Sequence, residues 1–331
     1  MNKGQKIKWG ILGCGGIARK FVNSSRYLDS AEVVAVASET AGKSKAFATD
    51  LNIKEAYDGY EALLHNSAVD AVYVANTHNF HHTAVCAALE ADKAVLCEKP
   101  LAVNQRQAKK MIETARSRKK FLMEAMWTRF LPAVVQLREW LAEGRIGTPR
   151  HIYACFGVHR DFPPHHRMVN PDLAGGAILD LGIYPISMAS MVAGAKTPDQ
   201  IFVVSKKGPT GVDTENSLML SYPEHFVAQL QFGMEIERNR NVRISGDKGQ
   251  LVLPGPFIAA RSVSLELPNE TILREFPFHD QEGFRFQIEA VNQCLIEGKT
   301  ECDIMPLDET LLLAEIMDNV RAQAGVFYEN E

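Results

Sequence analysis

The 331-residue sequence has no Cys-x-x-Cys pair, no lysine- or arginine-rich tract, no internal repeat and no low-complexity segment. Nor does any uninterrupted apolar run approach the roughly 18 residues that a membrane-spanning helix needs. Without arrays of cysteine and histidine spacings, no zinc module is indicated. The six cysteines (14, 86, 97, 155, 294 and 302) are scattered, mostly within apolar runs, and read as reduced thiols. Lys plus Arg is 36 against 40 for Asp plus Glu, a net charge of −4, which argues against nucleic acid or an anionic membrane as partner. The start, MNKGQKIKWG, carries no long apolar segment and runs straight into a strand, so no signal peptide is expected. A cytoplasmic protein fits these features. What remains is ordinary for a soluble globular chain, 46% hydrophobic and 23% charged, and too long for one core, so two domains are expected.

The first part of the chain alternates strand and helix. Apolar or β-branched runs at Ile7 to Leu12, Glu32 to Ala37, Val69 to Ala75, Ala94 to Cys97 and Phe121 to Met126 read as strands. Helical spacing falls between them, at Ile17 to Leu28, Lys43 to Leu51, Thr83 to Ala91 and a helix capped by Asn104. This pattern predicts a doubly wound parallel sheet with helices on both faces. Past Met126 the character changes. One helix, Phe130 to Glu143, precedes seven stretches of period-two alternation between His151 and Leu267, and two helices close the chain. The second part therefore reads as an α/β domain on a large, mostly antiparallel open sheet. The boundary is placed at 124/125, giving a dinucleotide-binding domain 1–124 and a substrate-binding domain 125–331.

The chemistry starts at Gly13-Cys14-Gly15-Gly16-Ile17-Ala18, directly after the first strand. Gly13 permits a tight turn, Gly15 lets backbone approach a pyrophosphate, and Ala18 lets the next helix pack closely on the strand. The helix start offers free N–H groups and a positive dipole end to phosphate. The second strand ends in Ser38-Glu39-Thr40, with Lys43 in the next turn. An acidic residue there suits the ribose hydroxyls of NAD, whereas Ser38, Thr40 and Lys43 together suit the phosphate of NADP, so both cofactors stay open.

Ligands of open α/β sheets sit at the carboxyl ends of strands. Thr77-His78-Asn79 and Glu98-Lys99-Pro100 stand at two such ends and can flank a nicotinamide. A half-buried Lys99, restricted by Pro100, suits proton exchange with a substrate hydroxyl. Gly175-Gly176 leads to Asp180 and Tyr184, four residues apart on one helical face, a carboxylate to orient an ammonium and a phenol to share its proton. Pro185 disfavours helix at Tyr184, so a late helix start is expected. His159, Arg160, His165, His166 and Arg167 form a polar stretch that reads as a substrate-facing loop for a neutral polyol or diol, and no metal site is expected.

These residues resemble a known family. Trp9 through Gly15, Thr77 through His82, Glu98-Lys99-Pro100-Leu101 and Gly175-Gly176 through Tyr184 are similar to the Gfo/Idh/MocA oxidoreductases. Met123-Glu124-Ala125-Met126-Trp127-Thr128-Arg129-Phe130, followed by Pro132, resembles the dimeric dihydrodiol dehydrogenase and NADP-dependent D-xylose dehydrogenase subgroup. The resemblance implies a Rossmann domain followed by a sheet domain often used for dimerisation. It implies Lys99 and Tyr184 as the proton-handling pair with Asp180 beside them. Trp127 and Arg129 would line the substrate pocket, and Thr77, His82 and Glu98 would lie along the cofactor. It further implies a cis Lys99-Pro100 bond, and the subgroup favours NADP, although Glu39 stands where NADP-preferring members carry arginine. The expected activity is an NAD(P)-dependent alcohol dehydrogenase for a sugar, polyol or cyclic diol. A non-catalytic NAD(P)-binding sensor or scaffold and an NAD-assisted glycosidase are the alternatives on the same fold.

Overall fold

The computed structural model describes residues 6–329; Met1 to Gln5, part of the stretch read as lacking a leader, and Asn330 and Glu331 lie outside the described residues. The chain forms two compact units. The first comprises Met1–Ala102, Arg106–Trp127 and His279–Thr310, and the second Val103–Gln105, Thr128–Phe278 and Leu311–Glu331. The division expected at 124/125 falls inside Arg106–Trp127, and the first unit takes a later segment as well.

In the first unit, strands β1 (Ile7–Leu12), β2 (Ala31–Ser38), β3 (Glu55–Asp58), β4 (Ala71–Val74), β5 (Ala94–Cys97) and β6 (Leu122–Glu124) make one sheet, ordered β3-β2-β1-β4-β5-β6. Every pair is parallel. Helices α1 (Gly16–Ser25), α2 (Lys43–Leu51), α3 (Tyr60–Leu64), α4 (His81–Glu90) and α5 (Gln105–Arg118) supply the crossovers. β4 and β6 are buried throughout and β5 nearly so, which is why they read as unbroken apolar runs. The strand order reverses between β1 and β4, and in sheets of this kind ligands bind at that point, outside the carboxyl ends of the strands. β3 and α3 escaped the sequence reading, because β3 is a four-residue edge strand with half-exposed charges.

The second unit opens with α6 (Pro132–Ala142), whose first residue is a proline in the position where no N–H is needed. Its sheet contains β7 (Pro149–Gly157), β8 (Gln200–Lys207), β9 (Asp213–Tyr222), β10 (Phe226–Gly233), β11 (Val242–Gly246), β12 (Gln250–Leu253), β13 (Ser262–Leu267) and β14 (Glu270–Glu275). The order is β14-β13-β12-β11-β7-β10-β9-β8, antiparallel except for the parallel pair β7–β10. A π-helical turn, Ile178–Gly182, runs into α7 (Ile183–Val192), and the two pack on β7 and β10. Helical backbone thus begins before Tyr184 rather than after it. Pro185 has no N–H for the Leu181 carbonyl, and the wider turn just ahead of it accommodates the missing bond. Pro171–Val192 is long and apolar enough to cross a membrane by composition, but 83% of that window is buried inside the protein, so its apolarity serves the core.

Later in the chain, α8 (Arg285–Ile296) belongs to the first unit and carries Asn292, whose side-chain oxygen accepts the Trp9 indole N–H at 3.1 Å. The last helix is α9 (Leu307–Ala324).

Candidate active site

Gly13 ends β1 with φ +110°, and a Cβ there would stand 2.9 Å from the Ala75 carbonyl carbon, so only glycine fits this turn. A Cβ on Gly15 or Gly16 would meet nothing within 4 Å, so the space before α1 is open. Gly15 caps α1 without any side-chain hydrogen bond, leaving first-turn N–H groups for an anion. Cys14 and Ile17 stand on either side of Gly15-Gly16, and burial pushes the Cys14 thiol up. The Asn79 side-chain oxygen, past the end of β4, is buried without a partner. An open phosphate cradle and an orphaned acceptor at the next strand end are what a dinucleotide requires, and these residues fit one.

Glu39, at the carboxyl end of β2, accepts the N–H of Tyr60, the first residue of α3, at 3.1 Å. Its carboxylate is therefore fixed at a helix start rather than loose in a loop. Ser38 is buried, and its Oγ accepts the Thr40 N–H at 3.2 Å. Asp58 takes the Gly42 N–H and the Ser44 hydroxyl, both at 3.0 Å, and so shapes the loop that carries Lys43. Glu39, Tyr60, Asn76 and Phe80 help line a groove of about 660 Å³ between α3 and α4, within the range of cofactor sites.

The turn after β5 is gripped at successive peptide groups. The Lys99 N–H donates to Glu98 Oε2 at 3.2 Å. The Pro100 carbonyl meets His81 Nδ1 at 2.9 Å, and the Asn76 carbonyl meets Nε2 of the same ring at 3.2 Å. The Leu101 N–H donates to Glu124 Oε1 at 2.9 Å. The Lys99-Pro100 bond is cis. Glu98, His81 and Glu124 are all buried. Burial drives His81 down to about 4, aided by neighbouring His78, so the ring is neutral at pH 7. Burial pushes the Glu98 carboxyl up, against the Tyr73 hydrogen bond and the charges of Lys99 and Lys20. Thr77 precedes the 3₁₀ turn His78–Phe80, and His82 is half-buried near Lys110 and Arg106.

Trp127 is buried beside Phe284, with ring centroids 5.1 Å apart. The Lys20 ammonium lies 4.0 Å from the Trp127 ring centroid and 4.4 Å from that of Phe284, and burial lowers its pKa. The expected pocket tryptophan thus faces a second lysine of its own unit.

In the second unit, Asp180 is buried and pairs with Arg167 at 3.3 Å, a partner the sequence reading placed only in a loop. Tyr184 meets Phe156 edge-on at 5.5 Å. The helix that carries both is capped from β9: buried Asp213 accepts the Ile178 N–H at 2.8 Å and an Asn216 amide proton at 2.7 Å. Burial raises Asp213 to about 6 despite these donors. Gly176 has φ +132°, and a Cβ there would lie 2.4 Å from Asp213 Oδ1, so the second glycine is needed for the cap to close. Arg129 is buried, with its guanidinium on the Ser187 hydroxyl and carbonyl at 3.0 and 2.7 Å. His159 is exposed and held to the Glu235 carbonyl and the Glu237 carboxylate. Tyr73, His81, Glu124, Lys20 and Asp213 were missed as site residues. The signal for Tyr73, Glu124, Lys20 and His81 was a polar or charged side chain inside an apolar run or helix, and Asp213, at the start of β9 among polar residues, gave none.

A doubly wound sheet with an open phosphate cradle after β1 and a braced lysine after β5, at the same edge of the sheet, makes this a nicotinamide-dinucleotide oxidoreductase. Comparison with known proteins narrows the class. Residues 7–126 match the model of the oxidoreductase family with an NAD-binding Rossmann fold, and residues 134–252 match the GFO/IDH/MocA C-terminal domain. The chain belongs to the Gfo/Idh/MocA oxidoreductase family. It is 36% identical to the trans-1,2-dihydrobenzene-1,2-diol dehydrogenase of Homo sapiens, over 98% of this chain and 99% of the relative. Among solved structures, KijD10, a 3-ketoreductase from Actinomadura kijaniata in complex with NADP and TDP-benzene, matches with TM-score 0.85 and 30% identity, covering 96% and 98% of the two chains. The aldose-aldose oxidoreductase of Caulobacter crescentus shares the fold, with TM-score 0.88 at 22% identity over 97% and 98%.

Proposed function

We propose that this protein moves a hydride between the nicotinamide of NAD or NADP and a hydroxyl-bearing carbon of a sugar, polyol or cyclic diol, with Lys99 handling the substrate proton. The braced turn at the carboxyl end of β5 carries this reading. It fixes the backbone around Lys99 through buried partners, and none of these bonds uses the Lys99 side chain, whose ammonium suits proton exchange. The bound cofactor supplies the hydride chemistry. The Gly13–Ile17 turn and the start of α1 hold its pyrophosphate. Ser38, Glu39 and Lys43 face its ribose, and Thr77, His78, Asn79, His82 and Glu98 lie along its length. Tyr184 is the second proton-handling group, oriented with Asp180 by the Asp213 cap. Trp127, Arg129 and His159 are the substrate-side residues. A diol substrate agrees with the name of the human relative, and reduction of a carbonyl with that of the 3-ketoreductase.

The test follows absorbance of the reduced nicotinamide with a panel of aldoses, polyols, cyclic trans-diols and the matching carbonyl compounds. Turnover with at least one of them is expected. Cofactor binding without any absorbance change across the panel sinks the reading in favour of a sensor, and sugar release without net cofactor change favours a glycosidase.

The working form is a cytoplasmic homodimer joined through the second sheet. Phe202 and Val204 of β8 and Met219 of β9 stand exposed there, with Phe202 and Met219 paired in register. Light scattering should give twice the chain mass of 36.7 kDa, and Val204→Glu should return a monomer. A monomeric native protein at micromolar concentration removes this assignment.

A further inference from the structure

Glu98 has a setting that its role along the cofactor does not explain. Its carboxylate is turned into the first unit and is buried. On one side the phenol of Tyr73, from the adjacent strand β4, donates to Oε1. On the other, the Lys99 N–H donates to Oε2 at 3.2 Å. Two ammonium groups act on it through space, Lys99 from the same turn and Lys20 from α1. The remaining charged or titratable groups here are Asp280, which faces Lys20, and Glu124, which with Glu98 acts on the Cys97 thiol.

The phenol is itself held in place. Phe21 stacks on the Tyr73 ring, with centroids 4.1 Å apart and planes at 16°. Trp9 packs edge-on against Phe21 at 5.2 Å, and its indole N–H is tied to Asn292. A wholly buried tyrosine thus aims its one polar atom at one carboxylate oxygen.

We infer that Tyr73 is a positioning residue for Lys99 and acts through Glu98: its hydrogen bond keeps the buried carboxylate ionised and turned so that it grips the Lys99 peptide group and faces the Lys99 ammonium. A carboxylate in this interior is disfavoured by burial and depends on its donors to stay charged. Without the phenol it takes up a proton. The ammonium of Lys99 then loses a neighbouring negative charge and releases its own proton at lower pH. The poise of Lys99 is set on the adjacent strand, by a residue wholly buried in the first unit. The inference deepens the proton-handling reading of Lys99 and rests on it for its catalytic meaning.

The test reads Lys99 directly. The whole protein is labelled with acetic anhydride over a range of pH, and the peptide carrying Lys99 is quantified by mass spectrometry, which gives the midpoint of its titration without any substrate. Tyr73→Phe keeps the ring and its stacking, and a thermal melt confirms folding. The midpoint should fall by about one unit, a tenfold change in the fraction charged. Glu98→Gln should lower it similarly, and adding Tyr73→Phe to that variant should move it no further. An unmoved midpoint in Tyr73→Phe, or equal further movement in the double variant, overturns the inference. The pH limb of kcat/KM should follow the labelling midpoint. A limb that stays put while the midpoint moves supports the link from Tyr73 to Lys99 and removes Lys99 from the reaction, so the two readings fail separately. A uniform loss of activity with neither moved marks Tyr73 as merely structural and also overturns the inference.

Discussion

Replacing Lys99 by alanine will cut turnover about 10³-fold, while the dissociation constant for NADH or NADPH changes less than about threefold. The split follows from how the turn is built. Its peptide groups are held by Glu98, His81 and Glu124 through backbone contacts, none of which uses the Lys99 side chain. Truncating that side chain removes the proposed proton carrier and leaves those backbone contacts in place. The cradle at Gly13–Ile17 lies on a different strand end and is not touched. Cofactor fluorescence measures binding, and steady-state assay with the best substrate of the panel measures turnover. An alanine variant that keeps more than about a tenth of the native rate cannot have lost its main acid-base group.

Asp213→Ala will lower stability by about 3 kcal/mol at neutral pH, read as a fall in the urea midpoint. The carboxylate is fully buried and holds the start of the helix bearing Asp180 and Tyr184, together with the Asn216 amide. Its removal leaves the Ile178 N–H and an Asn216 amide proton without their acceptor. Asp213→Asn keeps an acceptor and should lose less. The comparison has a pH signature of known sign. Burial raises the folded-state carboxyl from its ordinary 3.8 to about 6. A raised acid contributes most below its unfolded value and loses that contribution as pH rises through its folded one. The advantage of the native protein over Asp213→Asn should therefore shrink by about 2 kcal/mol between pH 4 and pH 7. A constant difference across that window would show that the carboxyl does not titrate there.

Much of this architecture was legible in the chain. Lys43–Leu51, Ala94–Cys97, Phe226–Gly233, Gln250–Leu253 and Ser262–Leu267 have the bounds that their patterns implied. Buried parallel strands must be apolar throughout, and half-covered antiparallel ones must alternate, so both leave a local signal. β3 and β14 do not, because edge strands with exposed charges on either face have no period to read. The site divided in the same way. Glycines and the lysine–proline step announce themselves by backbone chemistry. Tyr73 and Glu124 are single polar side chains in apolar runs, His81 and Asp213 stand among other polar residues, and the partners of all four lie 19 to 35 residues away. Strand register brings Tyr73 to Glu98, as Val74 and Cys97 align at the ends of β4 and β5, whereas His81 and Asp213 meet their partners only through the packing of helix against sheet. Glu39 was readable as an acid at a strand end, but its hold on the start of α3 was not, since α3 itself had not been seen.

The return of His279–Thr310 to the first unit bears on how the protein is made and how it can be cut. The ribosome delivers the glycine turn first, yet the indole of Trp9 waits for Asn292, close to the end of a 331-residue chain. A nascent chain stopped after Trp127 holds all six strands of the parallel sheet but lacks α8. Chimeras that trade the cofactor half between relatives must therefore carry both stretches, because a single splice near residue 125 divides a unit that the chain completes only on its second visit.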